Sequence, residues 1–406
     1  LVRGLSGRVS GGDAGGGARP RRTRGKSTVG PDRPMKLSIE RAALLKCISH
    51  VQSVVERRNT IPILSNILIS AEDGAVRLSA TDLDIEITDS VAAKVQTPGA
   101  LTAPAHTLYE IIRKLPDGMD VKLEVAPAEQ RLSLVAGRSR FALPVMQASD
   151  FPLMKSEGFK ATFTIDRSDL ARLIGKTRFA ISTEETRYYL NGIYFHVAAE
   201  KGGALLRAVA TDGHRLALAE QDAPSGADGM PPVILPRKTV AELSRLLDDS
   251  NGEVEVSVSE SKVAFTLGDA RIVSKVIEGA FPDYGRVIPR DNQRIMRVEN
   301  KIFAQAVDRV ATVSAEKSRS VKMALDSDRL TLTVNNPETG LATEEVAATC
   351  PAEPFEIGFN ARYLLDVSEQ IAGDEAQFEF GDAASPTLVR DLKDPHALFV
   401  LMPLRV

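Results

Sequence analysis

The chain has 406 residues, too many for one ordinary domain and suited to two or three, each able to bury its own core. With 43% hydrophobic and 26% charged residues it falls outside the disordered and fibrous classes. The two cysteines, Cys47 and Cys350, fit no CxxC or zinc spacing, and no apolar run nears the roughly 20 residues that cross a bilayer, so a soluble protein of the reducing cytoplasm is expected.

Residues 1–34 hold eight Arg or Lys against two Asp, are crowded with Gly and lack apolar periodicity. They read as a disordered basic extension that is not native, with Met35 as the natural start; a tail touching nucleic acid is the alternative. Gly25-Lys26-Ser27 is no phosphate loop, because Pro20 stands where the pattern needs Gly and no strand precedes it. The remaining body is acidic, with 43 Lys or Arg against 52 Asp or Glu. That excludes a protein coating DNA with its whole surface and leaves room for a localised basic lining.

From Met35 the texture is that of a folded chain. Lys36-Leu37-Ser38-Ile39-Glu40-Arg41 alternates as a short strand and runs into an amphipathic helix marked by Leu44, Leu45 and Ile48. Val76-Arg77-Leu78 and Leu132-Ser133-Leu134 are further strands, a second helix runs from Leu108 to Leu115 after Pro104, and Ala148-Ser149-Asp150-Phe151-Pro152 closes the unit. The order then recurs. Thr162-Phe163-Thr164-Ile165-Asp166-Arg167 leads to a helix with Leu170, Leu173 and Ile174, then a helix from Val240 to Leu247 after Pro236, the strand Val254-Glu255-Val256-Ser257-Val258, and the closing Glu278-Gly279-Ala280-Phe281-Pro282-Asp283. A third copy opens on Ile295-Met296-Arg297-Val298-Glu299-Asn300 with Phe303, Val307 and Val310, and continues through Leu330-Thr331-Leu332-Thr333-Val334 to a helix from Tyr363 to Ile371. Three α+β domains follow, expected at 35–155, 156–285 and 286–406. Copies this long suit a duplicated domain whose sheets continue edge to edge, which leaves few free edge strands.

In the first helix Leu44, Ile48, Val51 and Val55 form one apolar stripe, and Lys46, His50, Ser53 and Arg57 form a second stripe of the same spacing. Arg172 and Lys176 share a face in the second copy, and the later helices add Arg113, Lys114, Lys238 and Arg245. A polar face is ordinary for any one helix. Recurrence on equivalent helices of an acidic body predicts a common positive channel that holds DNA by its phosphates without reading bases.

Five segments carry a resemblance: Ile61-Pro62-Ile63-Leu64, Gly137-Arg138-Ser139-Arg140-Phe141, Arg187-Tyr188-Tyr189-Leu190-Asn191-Gly192, Thr211-Asp212-Gly213-His214-Arg215-Leu216 and Met402-Pro403-Leu404-Arg405-Val406. In this order on a threefold repeat, Met35 through Val406 resembles the beta subunit of bacterial DNA polymerase III, the DNA sliding clamp. The resemblance implies three tandem clamp (processivity-fold) domains that close, as a head-to-tail homodimer, into a six-domain ring around duplex DNA. It implies a clamp loader, the polymerase III alpha subunit, and other polymerases and repair proteins as partners, and no membrane.

The resemblance also implies a cleft between the second and third domains for a client peptide, at Leu190, Thr211, Gly213, His214, Arg215, Leu216, Pro282, Arg286, Val287, Asn360, Tyr363, Val400, Leu401, Met402, Pro403, Leu404 and Arg405. Ala384 and Pro386 depart from the family, which has a bulkier branched residue and a serine there, so the cleft's fine shape departs too. DNA contacts carry onto Arg58, His106, Tyr188, Tyr189 and Lys238; His106 stands in for an arginine, and Glu184 replaces a neutral glutamine and would repel a phosphate. Between chains, Phe141 and Leu143 would meet Thr312 and Val313, and Thr312 gives up apolar burial where the family has a large aliphatic, which implies a softer interface.

No catalytic residue, cofactor or metal is expected. Asp82, Asp84 and Glu86 alternate as a magnesium-dependent nuclease would require, but Thr81-Asp82 is echoed by Thr211-Asp212 in the next copy, which favours shared scaffold chemistry. The five histidines do not group with the cysteines, no nucleophile elbow accompanies Asp212 and His214, and without a nucleotide loop the ring depends on an external loader. The rival reading is a DNA-binding regulator or repair factor built from the same duplicated domain.

Overall fold

The computed structural model describes residues 34–405 apart from 126–130, 156, 249–251, 315–318 and 351–352. Residues 1–33 of the basic extension and the terminal Val406 lie outside the described residues. Among the described residues each repeat contributes two α-helices: α1 (Arg41–Gln52) and α2 (Ala105–Lys114), α3 (Arg167–Thr177) and α4 (Arg237–Leu247), α5 (Asn300–Ala311) and α6 (Ala361–Ser368).

Each repeat opens on one device. Strands Met35–Glu40, Ala161–Asp166 and Arg294–Glu299 bury every second residue and hand directly to α1, α3 and α5. The last strand residue, Glu40, Asp166 or Glu299, keeps an extended backbone and becomes the helix N-cap. The Glu40 carboxylate accepts from the Ala42 and Ala43 N–H groups at 2.9 and 2.8 Å, and these bonds hold its pKa below the usual range. The second helices begin earlier than their apolar periodicity indicates: α2 and α4 start directly after Pro104 and Pro236, which hold the N-cap positions without a capping hydrogen bond. Asn360 caps α6, whose α-helical part ends at Ser368, short of Ile371. The stripe Leu44, Ile48, Val51 and Val55 is fully buried, although Val55 lies past the end of α1.

Three antiparallel sheets carry the helices. A five-stranded sheet runs Lys94–Thr97, Met35–Glu40, Asp120–Val125, Arg131–Ala136, Ser139–Pro144. A nine-stranded sheet crosses from the first repeat to the second where Ile85–Ala92 pairs with Ala270–Lys275, in the register Ile87↔Ile272. A twelve-stranded sheet crosses from the second repeat to the third where Arg215–Asp222 pairs with Asp394–Leu401, in the register Leu216↔Val400. The domains therefore do meet edge to edge. The helices bridge the same junctions: Ser53, capping α1, donates to Glu242 of α4 at 2.5 Å, and Lys176 of α3 donates to the carbonyl of Gln370 just past α6. Both cysteines are free thiols, Cys47 buried and Cys350 half-buried.

Candidate functional site

Continuity of the twelve-stranded sheet sets Leu216 beside Val400, one from each side of the second junction. Around this pair opens a cavity of about 350 Å3 lined by Arg187, Tyr189, Leu190, Thr211, Gly213, Arg215, Leu216, Pro282, Val287, Val400 and Met402. Its apolar walls with a few convergent polar groups are those of a site for an apolar ligand or peptide side chains.

The turn Thr211–Arg215 builds one wall. Asp212 Oδ1 accepts from the N–H groups of His214 and Arg215 at 2.9 and 3.0 Å, while the Thr211 hydroxyl accepts from Gly213 N–H at 3.1 Å. Gly213 has φ 89°, a conformation glycine adopts without strain, and a Cβ there would stand 2.7 Å from Arg187 Nη1, the movable end of that side chain. Arg215 is the keystone between domains. Its guanidinium pairs with Asp212 at 3.1 Å and with Asp366 of α6, donates to the Phe179 carbonyl at 2.8 Å, and lies 4.4 Å from the Tyr363 ring centroid. The chain end is pinned by the Met402 and Leu404 N–H groups, which donate to the carbonyls of His214 and Gly358 at 2.9 and 2.8 Å.

Nine of the expected cleft positions line the cavity: Leu190, Thr211, Gly213, Arg215, Leu216, Pro282, Val287, Val400 and Met402. The others stand apart. Leu401 is fully buried, the Asn360 side chain caps α6, Arg286 points outward in a 2.8 Å pair with Asp283, and His214 faces Tyr363 with ring centroids 6.4 Å apart. Pro403, Leu404 and Arg405 continue the chain beyond Met402. Arg187 and Tyr189 are additional lining residues; the signal for them is their place in the segment that ends at Leu190.

The basic helix faces divide. Arg172 of α3 pairs with Asp394 of the third domain at 3.1 Å, and Lys176 reaches Asp391 and Asp394. Lys238 of α4 pairs with Asp82 and, at 3.4 Å, with Glu56 of the first domain. Burial works against the Lys238 charge, yet Asp82 and then Glu56 outweigh it and raise its pKa. Each of these three cations is paired with a carboxylate across a domain junction. His50 likewise pairs with Asp89 at 2.7 Å, both largely buried. Arg57 and Arg245 line an open cavity of about 960 Å3 between α1, α2 and α4, where Arg245 pairs with Glu242 of its own helix at 3.0 Å, together with His106, whose Nε2 meets the Val55 carbonyl at 3.0 Å. Arg58 and Tyr188 are exposed, and Tyr188 packs edge to face on Tyr189 at 5.7 Å.

The three alternating carboxylates serve three different partners. Asp82 caps its own turn and pairs with Lys238, Asp84 pairs with Lys275 at 2.9 Å, and Glu86 accepts from Met154 N–H at 2.7 Å. Among the described residues no three His, Cys, Asp or Glu side chains are grouped to hold a metal ion. No helix among them is long and apolar enough to cross a membrane.

Among the described residues, Ser139–Pro144 in the first domain and the early part of Gly340–Thr349 in the third each have an open side. Phe141 is exposed on Ser139–Pro144 beside a cavity of about 600 Å3 lined by Ile111 and Leu115, whereas Leu143 is buried within its own domain. Thr312 is exposed just past α5, and Val313 is half-buried and packs against the core. Leu341, 67% exposed on Gly340–Thr349, joins this surface although no sequence motif marks it.

Family models of the DNA polymerase III beta subunit match the chain three times: the N-terminal domain over 35–155, the central domain over 164–283 and the C-terminal domain over 285–405. The beta sliding clamp of Caulobacter vibrioides is 63% identical over 372 residues, covering 92% of this chain and all of the relative. A crystal structure of the C. crescentus beta sliding clamp superposes with a TM-score of 0.90 at 63% identity, covering 92% of this chain and all of that one. A sliding clamp from Bartonella birtlesii bound to griselimycin superposes at 0.89 with 49% identity and the same coverage.

Proposed function

Since the chain belongs to the family of DNA polymerase III beta subunits, the sliding clamps, we propose that it encircles duplex DNA as a head-to-tail homodimer and confers processivity on the replicative polymerase. The observation that carries this reading is the threefold domain repeat, each copy matching its own clamp domain, joined by sheets that run unbroken across both junctions. Two such chains joined through their open strand edges would make a closed ring. The ring holds DNA topologically, so its contacts need only be weak, electrostatic and blind to sequence.

The mechanism asks no chemistry of the chain. A clamp loader opens and closes the ring. The polymerase alpha subunit, other polymerases and repair proteins dock by a linear peptide in the cleft around Leu216 and Val400. The peptide's apolar side chains would enter the cavity, while Arg187, Tyr189, Thr211 and Arg215 offer polar groups at its rim. Arg57, Arg58, His106, Arg245 and Tyr188 would face the duplex, with Lys238 and Tyr189 supporting them from the junction and the cleft. The protein would be loaded onto primed circular DNA with its loader and ATP, and the circle then cut once. Loss of the clamp within seconds of the cut is expected; retention on the linear product would sink the ring reading and favour direct DNA binding.

A further inference from the structure

Two wall residues of the cleft, Pro282 and Val287, sit on the connection between the second and third domains, and such a segment forms a precise wall only if something fixes it. What fixes it is a ladder of four rings. Strand Gly192–Glu200 carries Tyr194 and His196 two residues apart, on one face of the sheet. Phe281, immediately before Pro282, stacks on Tyr194 with centroids 4.8 Å apart and planes within 4° of parallel. Tyr194 stacks in turn on His196 at 4.4 Å, and His196 Nε2 is hydrogen-bonded to Tyr284 Oη at 3.0 Å. Tyr284 opens the short helical turn Tyr284–Arg286, and the next residue is Val287. Ladder members thus flank Pro282 on both sides, and Tyr284 precedes Val287 by three residues.

The strand below is itself held. Arg207, opposite His196 in the register, pairs with Glu220 at 2.6 Å and with Glu200 at 2.8 Å. Beneath the ladder lies a small apolar cluster of Val209, Leu216, Leu218, Leu388 and Val400, against which Tyr194, Phe281 and Tyr284 pack. Leu216 and Val400 in that cluster are also the cleft floor, so floor and wall share one support. None of the four ring residues lines the cavity.

We propose that the Phe281–Tyr194–His196–Tyr284 ladder is the positioning device of the client cleft, setting the fraction of molecules whose Pro282–Val287 wall is ready to receive a peptide. This rests on the reading of the cavity as the client site. A receptor whose competent form is only partly populated shows an apparent affinity reduced by that fraction, and the loss falls on the association rate because the ladder does not touch the ligand.

The test uses the full-length dimer and a fluorescein-labelled clamp-binding peptide of the polymerase alpha subunit, with association and dissociation rates measured by stopped flow. Tyr194→Ala is expected to slow association about tenfold and leave dissociation unchanged, since a lost aromatic stack is worth roughly a factor of ten. Tyr194→Phe keeps the flat ring and should bind within about twofold of wild type. Tyr284→Phe keeps the ring and removes the hydroxyl's bonds to His196 and Arg207, should slow association about threefold, and reads the ladder even if Tyr194→Ala fails to fold. Wild-type association by both Tyr194→Ala and Tyr284→Phe, or a loss confined to dissociation, overturns the proposal. Failure of the wild-type protein to bind the peptide would instead remove the client reading itself, and this inference with it.

Discussion

The turns Thr81–Ile85 and Thr211–Arg215 share their hydrogen bonds and differ in their side chains. Asp82 Oδ1 accepts from the Asp84 and Ile85 N–H groups at 2.9 and 2.8 Å, as Asp212 does in the second repeat. Leu83 even takes φ 80° where Gly213 takes 89°. The repeated Thr-Asp made this turn legible in the sequence. What the sequence hides is the exchange of Arg215 and Leu216 for Ile85 and Glu86, because its meaning depends on which strand lies across the junction. Leu216 meets Val400 and floors a cavity, whereas Glu86 meets Val273 and its carboxylate ties down Met154. Burial raises the pKa of Glu86, with the Met154 N–H, the Thr88 hydroxyl and Arg271 pulling the other way. A carboxyl with a raised folded pKa detracts from stability at higher pH, and the penalty fades as pH falls through that pKa toward the unfolded value. Glu86→Gln retains an acceptor for Met154 and loses the charge. It is expected to add up to about 1 kcal/mol near neutral pH, an advantage that shrinks in acid. Urea unfolding across a pH series checks this, and a gain that persists unchanged into acid would refute it.

At the level of the helices, periodicity showed which residues share a face and could not show what that face meets. Lys46, His50, Ser53 and Arg57 were grouped by spacing, yet Ser53 reaches Glu242 of the next domain and His50 is paired with Asp89 inside its own. Arg172, Lys176 and Lys238 look like phosphate ligands in sequence because the acids that claim them are far away in the chain: Asp394 is 222 residues from Arg172 and Asp82 is 156 from Lys238. Cations spent on such pairs release few counterions when DNA arrives, while Arg57 faces an open cavity. Arg57→Ala is therefore expected to reduce the slope of log affinity against log salt by about one for a short duplex. Arg172→Ala should leave that slope unchanged and instead lower resistance to unfolding. Fluorescence anisotropy over a salt series separates them, and an equal slope change for both variants would return Arg172 to the channel face.

For the whole molecule, the threefold repeat was legible because each copy opens with the same strand-to-helix word, and the cleft was legible because family segments fall in order around it. The closing surfaces were only half legible. Phe141 lies in a recognisable segment, but the exposure of Leu341 follows from sheet topology alone: Arg294–Glu299 pairs with Gly340–Thr349 only at Ala348 and Thr349, which leaves the earlier part of that strand open on one side. Ser139–Pro144 is likewise the last strand of its sheet. Two open edges at opposite ends of one chain are a hazard unless they satisfy each other, and a second copy turned by half a revolution satisfies both at once. If Thr312 stands on the third-domain side of that contact, its hydroxyl, bonded to the Asp308 carbonyl of its own helix, takes the place of an apolar side chain that would add burial against the 600 Å3 cavity beside Phe141. Thr312→Ile is thus expected to tighten the dimer by about 1 kcal/mol, several-fold in dissociation constant. Phe141→Asp places a charge in the same contact and should yield monomers that keep their fold but no longer stay on circular DNA. Sedimentation equilibrium of the two variants decides the matter: if Phe141→Asp remains dimeric, the ring closes through some other surface and these two edges need a different explanation.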